Sequence, residues 1–211
     1  MNDSPRWRRR KQSRPQEILE AALASFAEKG FAATRMDEIA ERAGVTKGTI
    51  YLYFENKEAV FKALVRESIG AQVDQIVESV GKFEGSACEL LNFFLRTMGS
   101  FAAHSDRVVL AKVLIAEAGN FPELAQFYRE EIIDKGIAAL TAIIKRGIAN
   151  GEFRNVAAEH VVRLCIAPVL LGIIWRTTFA QFDKEQYDIE GLIETHLGVL
   201  LNGLATAKGD A

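Results

Sequence analysis

The sequence predicts an all-α protein, and two observations support this prediction. Only four prolines occur in 211 residues, at positions 5, 15, 122 and 168, so long stretches contain no helix breaker. Apolar residues recur at the spacing of one helix face, whereas no convincing alternation with the period of a strand is present. A chain of this length forms one large domain or two modest ones.

The first predicted helix begins at Pro15, because proline is favoured in the first turn of a helix. Gly30 is expected to end this helix. Residues 1–14 precede it and carry six basic side chains against one acidic side chain, Asp3, so they are predicted to be a basic arm. The helix has one apolar stripe, formed by Ile18, Leu19, Ala22, Leu23 and Phe26.

Two short helices separated by a glycine turn follow. Thr34 is expected to open the first, with Asp37 completing a capping box, and Gly44 to break it. Thr46 is expected to cap the next helix, which runs to about Tyr53. This order describes a helix-turn-helix over residues 15–60. Its expected core consists of Phe26, Phe31, Ile39, Ala40, Val45, Ile50, Phe54 and Leu64.

A fourth helix is predicted from Asn56 to about Val80, and the glycines of 81–86 mark the boundary of a second domain, 80–211. Five further helices are predicted in that domain. They are 86–103, which opens with a Ser86–Glu89 capping box, then 106–118, 122–150, 155–179 and 188–204.

Composition excludes several classes of protein. The chain is 49% hydrophobic and 26% charged, which is typical of a soluble globular protein and not of a disordered one. Two cysteines are too few for a secreted disulfide scaffold, so a cytoplasmic location is expected. The most apolar stretch, Leu164–Trp175, is shorter than the roughly 20 residues of a membrane span. It is predicted to be a buried helix, and no membrane partner is expected.

The charge is distributed unevenly. Residues 1–57 carry 11 basic and 8 acidic side chains, whereas the remaining residues carry 15 and 20. A basic N-terminal part before an acidic body indicates an anionic partner at the N-terminal end.

The run from Ile18 to Phe61 resembles the DNA-binding domain of the TetR family of bacterial transcriptional regulators. The matching residues are Ile18-Leu19-x-x-Ala22-x-x-x-Phe26-x-x-x-Gly30-Phe31, Thr34-x-x-x-x-Ile39-Ala40-x-x-Ala43-Gly44-Val45 and Lys47-Gly48-Thr49-Ile50-Tyr51-x-Tyr53-Phe54-x-Asn56-Lys57-Glu58. A shorter run, Val113–Leu124, is similar to the C-terminal domain of AefR-like members.

The resemblance implies a DNA-contacting set of eight residues. Thr34 would cap the second helix and touch a phosphate, and Lys57 would also contact a phosphate. Leu52 stands where the family often has tyrosine, and it is interpreted as a packing residue. The complete expected DNA-contacting set is Thr34, Thr46, Lys47, Gly48, Thr49, Tyr51, Tyr53 and Lys57.

The resemblance also implies that the second domain binds a small-molecule effector and forms a homodimer, and the apolar surface of its last two helices points to these helices as the dimer interface. Neither a cofactor nor a metal is expected, since the three histidines lack metal-ligand spacing. The effector candidates are Phe94, Met98, Phe101, His104, Phe127, Trp175 and Phe179. The predicted dimer contacts are Val161, Leu164, Ile166, Leu170, Leu171, Ile174, Ile189, Leu192, Ile193, Leu197, Leu200 and Leu204.

Three functions were compared. An enzyme is disfavoured because the sequence has no nucleophile elbow, phosphate-binding loop or dinucleotide fingerprint. A helical ligand-binding protein with vestigial DNA binding stays open as the alternative. The favoured function is a homodimeric repressor that binds a palindromic operator and is released by a small-molecule effector.

Deleting residues 1–11 is expected to make DNA binding less dependent on salt. Each phosphate contact that the basic residues supply adds about 0.9 to the slope of log affinity against log salt concentration. Titration of a DNA duplex at several salt concentrations measures this slope. A slope identical to that of the full chain would show that the basic residues make no phosphate contacts.

Overall fold

The computed structural model describes residues 5–206, with side chains described from Arg14 to Thr206. Within this part the chain forms eleven α-helices, and its extended residues pair in an isolated bridge between Phe153 and Ala205. The all-α prediction is confirmed. The helices are α1 (Pro5–Ala33), α2 (Met36–Arg42), α3 (Lys47–Tyr51), α4 (Lys57–Val65), α5 (Ala71–Lys82), α6 (Ala87–His104), α7 (Val109–Glu117), α8 (Pro122–Tyr128), α9 (Asp134–Ala149), α10 (Ala158–Ile174) and α11 (Ile189–Leu204).

Three π-helical turns extend these helices without a loop. Arg66–Gly70 joins α4 to α5, Arg129–Ile133 joins α8 to α9, and Trp175–Phe179 continues α10. The segment 57–82 is therefore one long helical connection between the two halves, as the sequence predicts.

Helix α1 differs from the prediction at its N-terminal end. It begins at Pro5, so Pro15 lies inside it and the expected separate arm is part of the helix from residue 5 onward. Arginine, lysine and glutamine are good helix formers, which allows the helix to extend through the basic run. The arm's side chains before Arg14 lie outside the described side chains. The prediction that Gly30 interrupts this helix is confirmed. Its φ of +78° and ψ of +173° are accessible almost only to glycine, and they kink the end of α1.

The predicted side-chain caps of three later helices are confirmed. The side chains of Thr46, Asn56 and Ser86 accept the backbone N–H three residues on, at 3.2, 2.7 and 3.1 Å. Each bond satisfies a donor that the first helical turn leaves unpaired.

A first core joins the helix-turn-helix to the second half of the chain. Phe31 is fully buried at its centre, and its ring centroid lies 5.4 Å from Phe26, 5.5 Å from Phe61 and 4.8 Å from Phe121. Phe121 precedes α8, and the same cluster includes buried residues of α7. The N-terminal helices therefore share one core with α7 and α8, across the boundary expected near residue 80.

A second core lies between α6, α9, α10 and α11. Gly99 of α6 allows a close approach here, because a Cβ added to it would lie 2.7 Å from Ile193 of α11. The two helices therefore pack closely at this point.

Only one face of α10 is buried, which corrects the prediction of a buried helix. Val161, Cys165 and Val169 face the second core, whereas Leu164 is 58% and Leu171 48% exposed. The segment Ala158–Phe182 is long and apolar enough to span a membrane by length and composition alone. One face of this segment packs against α6 and α9, as a core helix does.

The predicted dimer contacts divide in the same way. Six of them are buried inside the subunit's own core and are not available to a partner. Most of these six lie on the apolar stripe of α11, which faces inward. Those six are Val161, Ile189, Ile193, Leu197, Leu200 and Leu204. Leu164, Leu170 and Leu171 are exposed, and Ile166, Ile174 and Leu192 are half-buried.

Replacing Phe31 by alanine is expected to lower the free energy of unfolding by about 3–5 kcal/mol, because it opens a cavity among three aromatic rings. Phe93→Ala is the matched control, since Phe93 is 45% exposed on α6. It is expected to cost less than about 1 kcal/mol. Urea unfolding followed by circular dichroism measures both, and equal losses would contradict a central role for Phe31.

Candidate nucleic-acid interface

The turn between α2 and α3 holds the helix-turn-helix in a fixed geometry. Gly44 has a φ of +64°, and the Val45 N–H donates to the carbonyl of Ala40 at 2.9 Å. Ile50 of α3 is fully buried, with Val45 half-buried against the same core, as predicted. This inward anchor determines which side chains of α3 point outward.

The outward side of α3 consists of Lys47, Gly48, Tyr51 and Leu52, all of them exposed; we call it the α3 face. Leu52 follows α3 in helical geometry and is 82% exposed. The interpretation of Leu52 as a packing residue is therefore wrong, because the inward positions of this helix are already taken by Ile50 and its neighbours.

Lys47 projects from the α3 face, and its ammonium lies 3.0 Å from the Asp37 carboxylate of α2. Both side chains are well exposed, so this ion pair contributes little to stability and can open toward another anion. Lys47 is thus placed where it can exchange one anionic partner for another.

Thr46 and Thr49 form the N-terminal edge of the face. Their hydroxyls lie 2.8 Å apart, and the Thr46 oxygen also accepts the Thr49 N–H. Tyr51 is 46% exposed, whereas Tyr53 is half-buried against the first core. Tyr51 is therefore the more accessible of the two predicted tyrosines.

The fold leaves space for a side chain at Gly48. Its φ is not in the left-handed region, and a Cβ added to it would meet only the Thr46 hydroxyl, at 4.0 Å. Glycine destabilises a helix by up to about 1 kcal/mol relative to alanine. A glycine that the fold does not require, in the middle of an exposed face, indicates the close approach of another molecule to the backbone.

The structure corrects the predicted role of Thr34. Its side chain is 1% exposed, and its hydroxyl lies 2.7 Å from the Gly30 carbonyl and 3.2 Å from that of Ser25. The hydroxyl satisfies carbonyls near the end of α1, so it is neither a helix cap nor an accessible phosphate ligand. Arg35 occupies the cap position of α2, and its N–H donates to Glu38 at 3.3 Å.

Lys57 is also turned inward, which corrects its assignment as a phosphate contact. Its ammonium donates to the carbonyls of Phe31, Ala32 and Thr34 at 2.6, 3.1 and 2.9 Å. It also lies 4.4 Å from the centroid of the Phe31 ring. Burial lowers the pKa of this ammonium, because it loses hydration. All three of its protons are used to hold the end of α1 against α4.

Sequence reasoning missed a contact from the second half of the chain to the same place. Glu117, at the end of α7, accepts the Ala32 N–H at 3.1 Å. In the sequence, Glu117 belongs to the run Val113–Leu124, whose pattern indicates only a similarity to other C-terminal domains. Nothing in the sequence pairs it with the end of α1, 85 residues earlier.

The seven effector candidates do not line one cavity. Phe94 lies in the second core and Phe127 in the first. His104 is exposed and lies 3.0 Å from Glu190. Only Phe101 and His104 share a cleft, of about 550 Å³ between α5 and α6. Met98 is half-buried at the second core, and the rings of Trp175 and Phe179 contact each other beyond α10, with centroids 5.5 Å apart and planes tilted by 53°.

Two family models match the chain. Residues 18–64 match "Bacterial regulatory proteins, tetR family", and residues 84–188 match "Tetracyclin repressor-like, C-terminal domain". The chain belongs to the TetR family. Among the described residues, no group of three His, Cys, Asp or Glu side chains is arranged to hold a metal ion.

Relatives of known name agree with this assignment. The chain is 30% identical over 196 residues to the fatty acid metabolism regulator protein of Bacillus subtilis, covering 92% of this chain and 98% of that one. It is 54% identical over 192 residues to the HTH-type transcriptional regulator YhgD of the same organism, covering 85% and 92%.

The fold agrees as well. The crystal structure of FadR from Bacillus subtilis in complex with stearoyl-CoA superimposes with a TM-score of 0.73 at 26% identity, covering 89% of this chain and 98% of that one. These relatives are transcriptional regulators, so this TetR-family chain is a DNA-binding transcriptional regulator.

Replacing Gly48 by alanine is expected to separate stability from DNA binding. The free energy of unfolding should rise by up to about 1 kcal/mol. DNA affinity should fall by about tenfold or more if Gly48 contacts DNA as the family resemblance implies, because the added methyl group would occupy the space between the helix and the DNA. Thermal unfolding and a duplex titration measure the two effects. Unchanged affinity would show that DNA does not approach this residue.

Proposed function

We propose that the protein is a homodimeric repressor that places the α3 face of each subunit in the major groove of a palindromic operator. The observation that carries this proposal is the α3 face itself. The face and its N-terminal edge combine a lysine held by a single exposed ion pair, the hydroxyls of Thr46 and Thr49, and an unobstructed glycine, on a helix anchored by Ile50. Readout of base edges and phosphates requires hydrogen-bond donors and acceptors, and a protein backbone that can approach the DNA closely.

The exposed apolar surface of the last two helices supports the dimer. Leu164 and Leu171 of α10, Phe182 after it and Val199 of α11 are between 48% and 78% exposed. Isolated apolar side chains on a surface are ordinary, but several on two neighbouring helices are typical of an interface. A two-fold axis there would pair α10 and α11 with their copies in a four-helix bundle. Two α3 helices about 34–36 Å apart would then match half-sites one DNA turn apart.

We infer that the effector belongs to the long-chain acyl thioester class. The relative solved with stearoyl-CoA covers almost the whole chain and supports this choice. In the present conformation α5 contributes no fully buried side chain, and Val73, Ile76 and Val80 are only half-buried. An acyl chain that enters at the cleft by Phe101 and His104 could therefore separate α5 from α6. This separation would cost less free energy than the separation of any two helices within the second core.

Helix α7 provides a route from that cleft to the DNA-binding helices. Lys112 donates to the Thr177 carbonyl at 2.6 Å, next to α10. At the other end, Glu117 holds the Ala32 N–H. An effector that favours a different position of α7 would move the end of α1 with it, and so change the spacing of the two α3 helices.

A ligand-binding protein with vestigial DNA binding is the second candidate. The unfilled space around Gly48 and the accessible Lys47 disfavour it, because a surface without a partner has no reason to retain a destabilising glycine.

The deciding experiment is selection of genomic DNA fragments by the purified protein at about 150 mM salt, where non-specific binding is weak. The wild type is expected to enrich a palindrome, and Lys47→Ala is expected to enrich none while keeping its fold and its dimer. Stearoyl-CoA should then release the enriched fragment.

Two results would contradict the proposal. Enrichment of the same palindrome by Lys47→Ala would remove Lys47 from the interface. If neither protein enriches any sequence, even after any co-purified ligand has been removed, the alternative of vestigial DNA binding would be favoured.

A further inference from the structure

Leu52 is the most exposed large hydrophobic side chain in the described part of the chain, at 82%. A leucine side chain left in water forgoes the free energy that its burial in a core would provide. Its neighbours in sequence do not share this exposure, since Ile50 is fully buried and Tyr53 and Phe54 are half-buried against the first core. The exposure is therefore specific to this position.

The backbone holds Leu52 outward. Its φ of −73° and ψ of −22° continue the helix one residue beyond α3, and its N–H donates to the Thr49 carbonyl at 3.2 Å. Because positions four residues apart lie on one side of a helix, Leu52 stands directly beside Gly48. Turning Leu52 inward would require Ile50 to leave the core.

The α3 face thus has a flat place at Gly48 and an apolar projection beside it at Leu52. If DNA approaches the backbone at Gly48, the Leu52 side chain enters the same groove. Base edges in the major groove present hydrogen-bonding groups at every base pair, and one apolar group, the C5 methyl of thymine. It is the one partner in the groove against which a leucine can bury apolar surface without leaving a polar group unpaired.

We propose that Leu52 is a specificity-determining residue that contacts the C5 methyl of one thymine in each half-site of the operator. This inference rests on the proposed function and adds to it the base that one position of α3 selects. Lys47, Thr46 and Thr49 supply polar contacts, so Leu52 supplies the apolar part of the recognition.

The test uses the palindrome that the full-length wild type enriches. Each thymine is replaced in turn, symmetrically in both half-sites, by deoxyuridine, which lacks only the C5 methyl. One such replacement is expected to weaken wild-type binding by about fourfold per half-site, or about 15-fold for the pair, from the loss of one buried methyl group. Leu52→Ala is expected to bind the unmodified operator as weakly and to show no further loss at that thymine.

Ile133→Ala is the matched control, because Ile133 is an exposed aliphatic residue of the π-helical turn between α8 and α9, 43% exposed and outside the α3 face. It should keep the wild-type response to every replacement. Leu52→Met, which retains an apolar side chain of similar length, should keep the response at the same thymine. Circular dichroism verifies that all variants are folded.

The outcomes separate the two proposals. The role of Leu52 is overturned if the wild type binds its operator specifically but no deoxyuridine replacement weakens binding. It is also overturned if Leu52→Ala responds to the replacements as the wild type does. Either result leaves the repressor proposal standing. An absence of sequence-specific binding by the wild type overturns both.

Discussion

The burial of Phe31 among three other aromatic rings is the contact on which the rest of the structure depends. Phe26 and Phe61 belong to the DNA-binding helices, whereas Phe121 belongs to the second half of the chain. The cluster therefore joins the halves through a closely packed core, which resists continuous deformation. Lys57 above the Phe31 ring and Glu117 at the Ala32 N–H add polar bonds at the same place.

This junction has a direct consequence for function. In the proposed homodimer, operator recognition would depend on the distance between the two α3 helices, and that distance would depend on how α1 is attached to the second half of each subunit. An attachment through packed rings and short hydrogen bonds has few alternative arrangements. A modest displacement of α7 can therefore produce a defined displacement of α3.

The α3 face, the proposed DNA interface, is built in the opposite way. The side chains of the α3 face make few contacts within the subunit, since Lys47 has one exposed ion pair, Gly48 has no side chain and Leu52 is left in water. The glycine at position 48 and the exposed Leu52 each reduce stability by a small amount, which the first core, anchored at Ile50, offsets. Residues that the fold does not require are those that remain available to a partner.

The sequence by itself determined the all-α class, the order of the helices, the caps at Thr46, Asn56 and Ser86, and the glycine turns, because each depends on residues within a few positions of one another. Only the tertiary structure decided which polar residues face inward. Thr34 and Lys57 have side chains that usually face solvent, but the unpaired carbonyls at the end of α1 need donors, and these two residues supply them. The prediction that Leu52 packs inward is wrong for the converse reason. Its hydrophobicity suggests burial, but Ile50 occupies the inward position of this helix. The contact of Glu117 with Ala32 joins residues 85 positions apart, a separation at which no local pattern carries information.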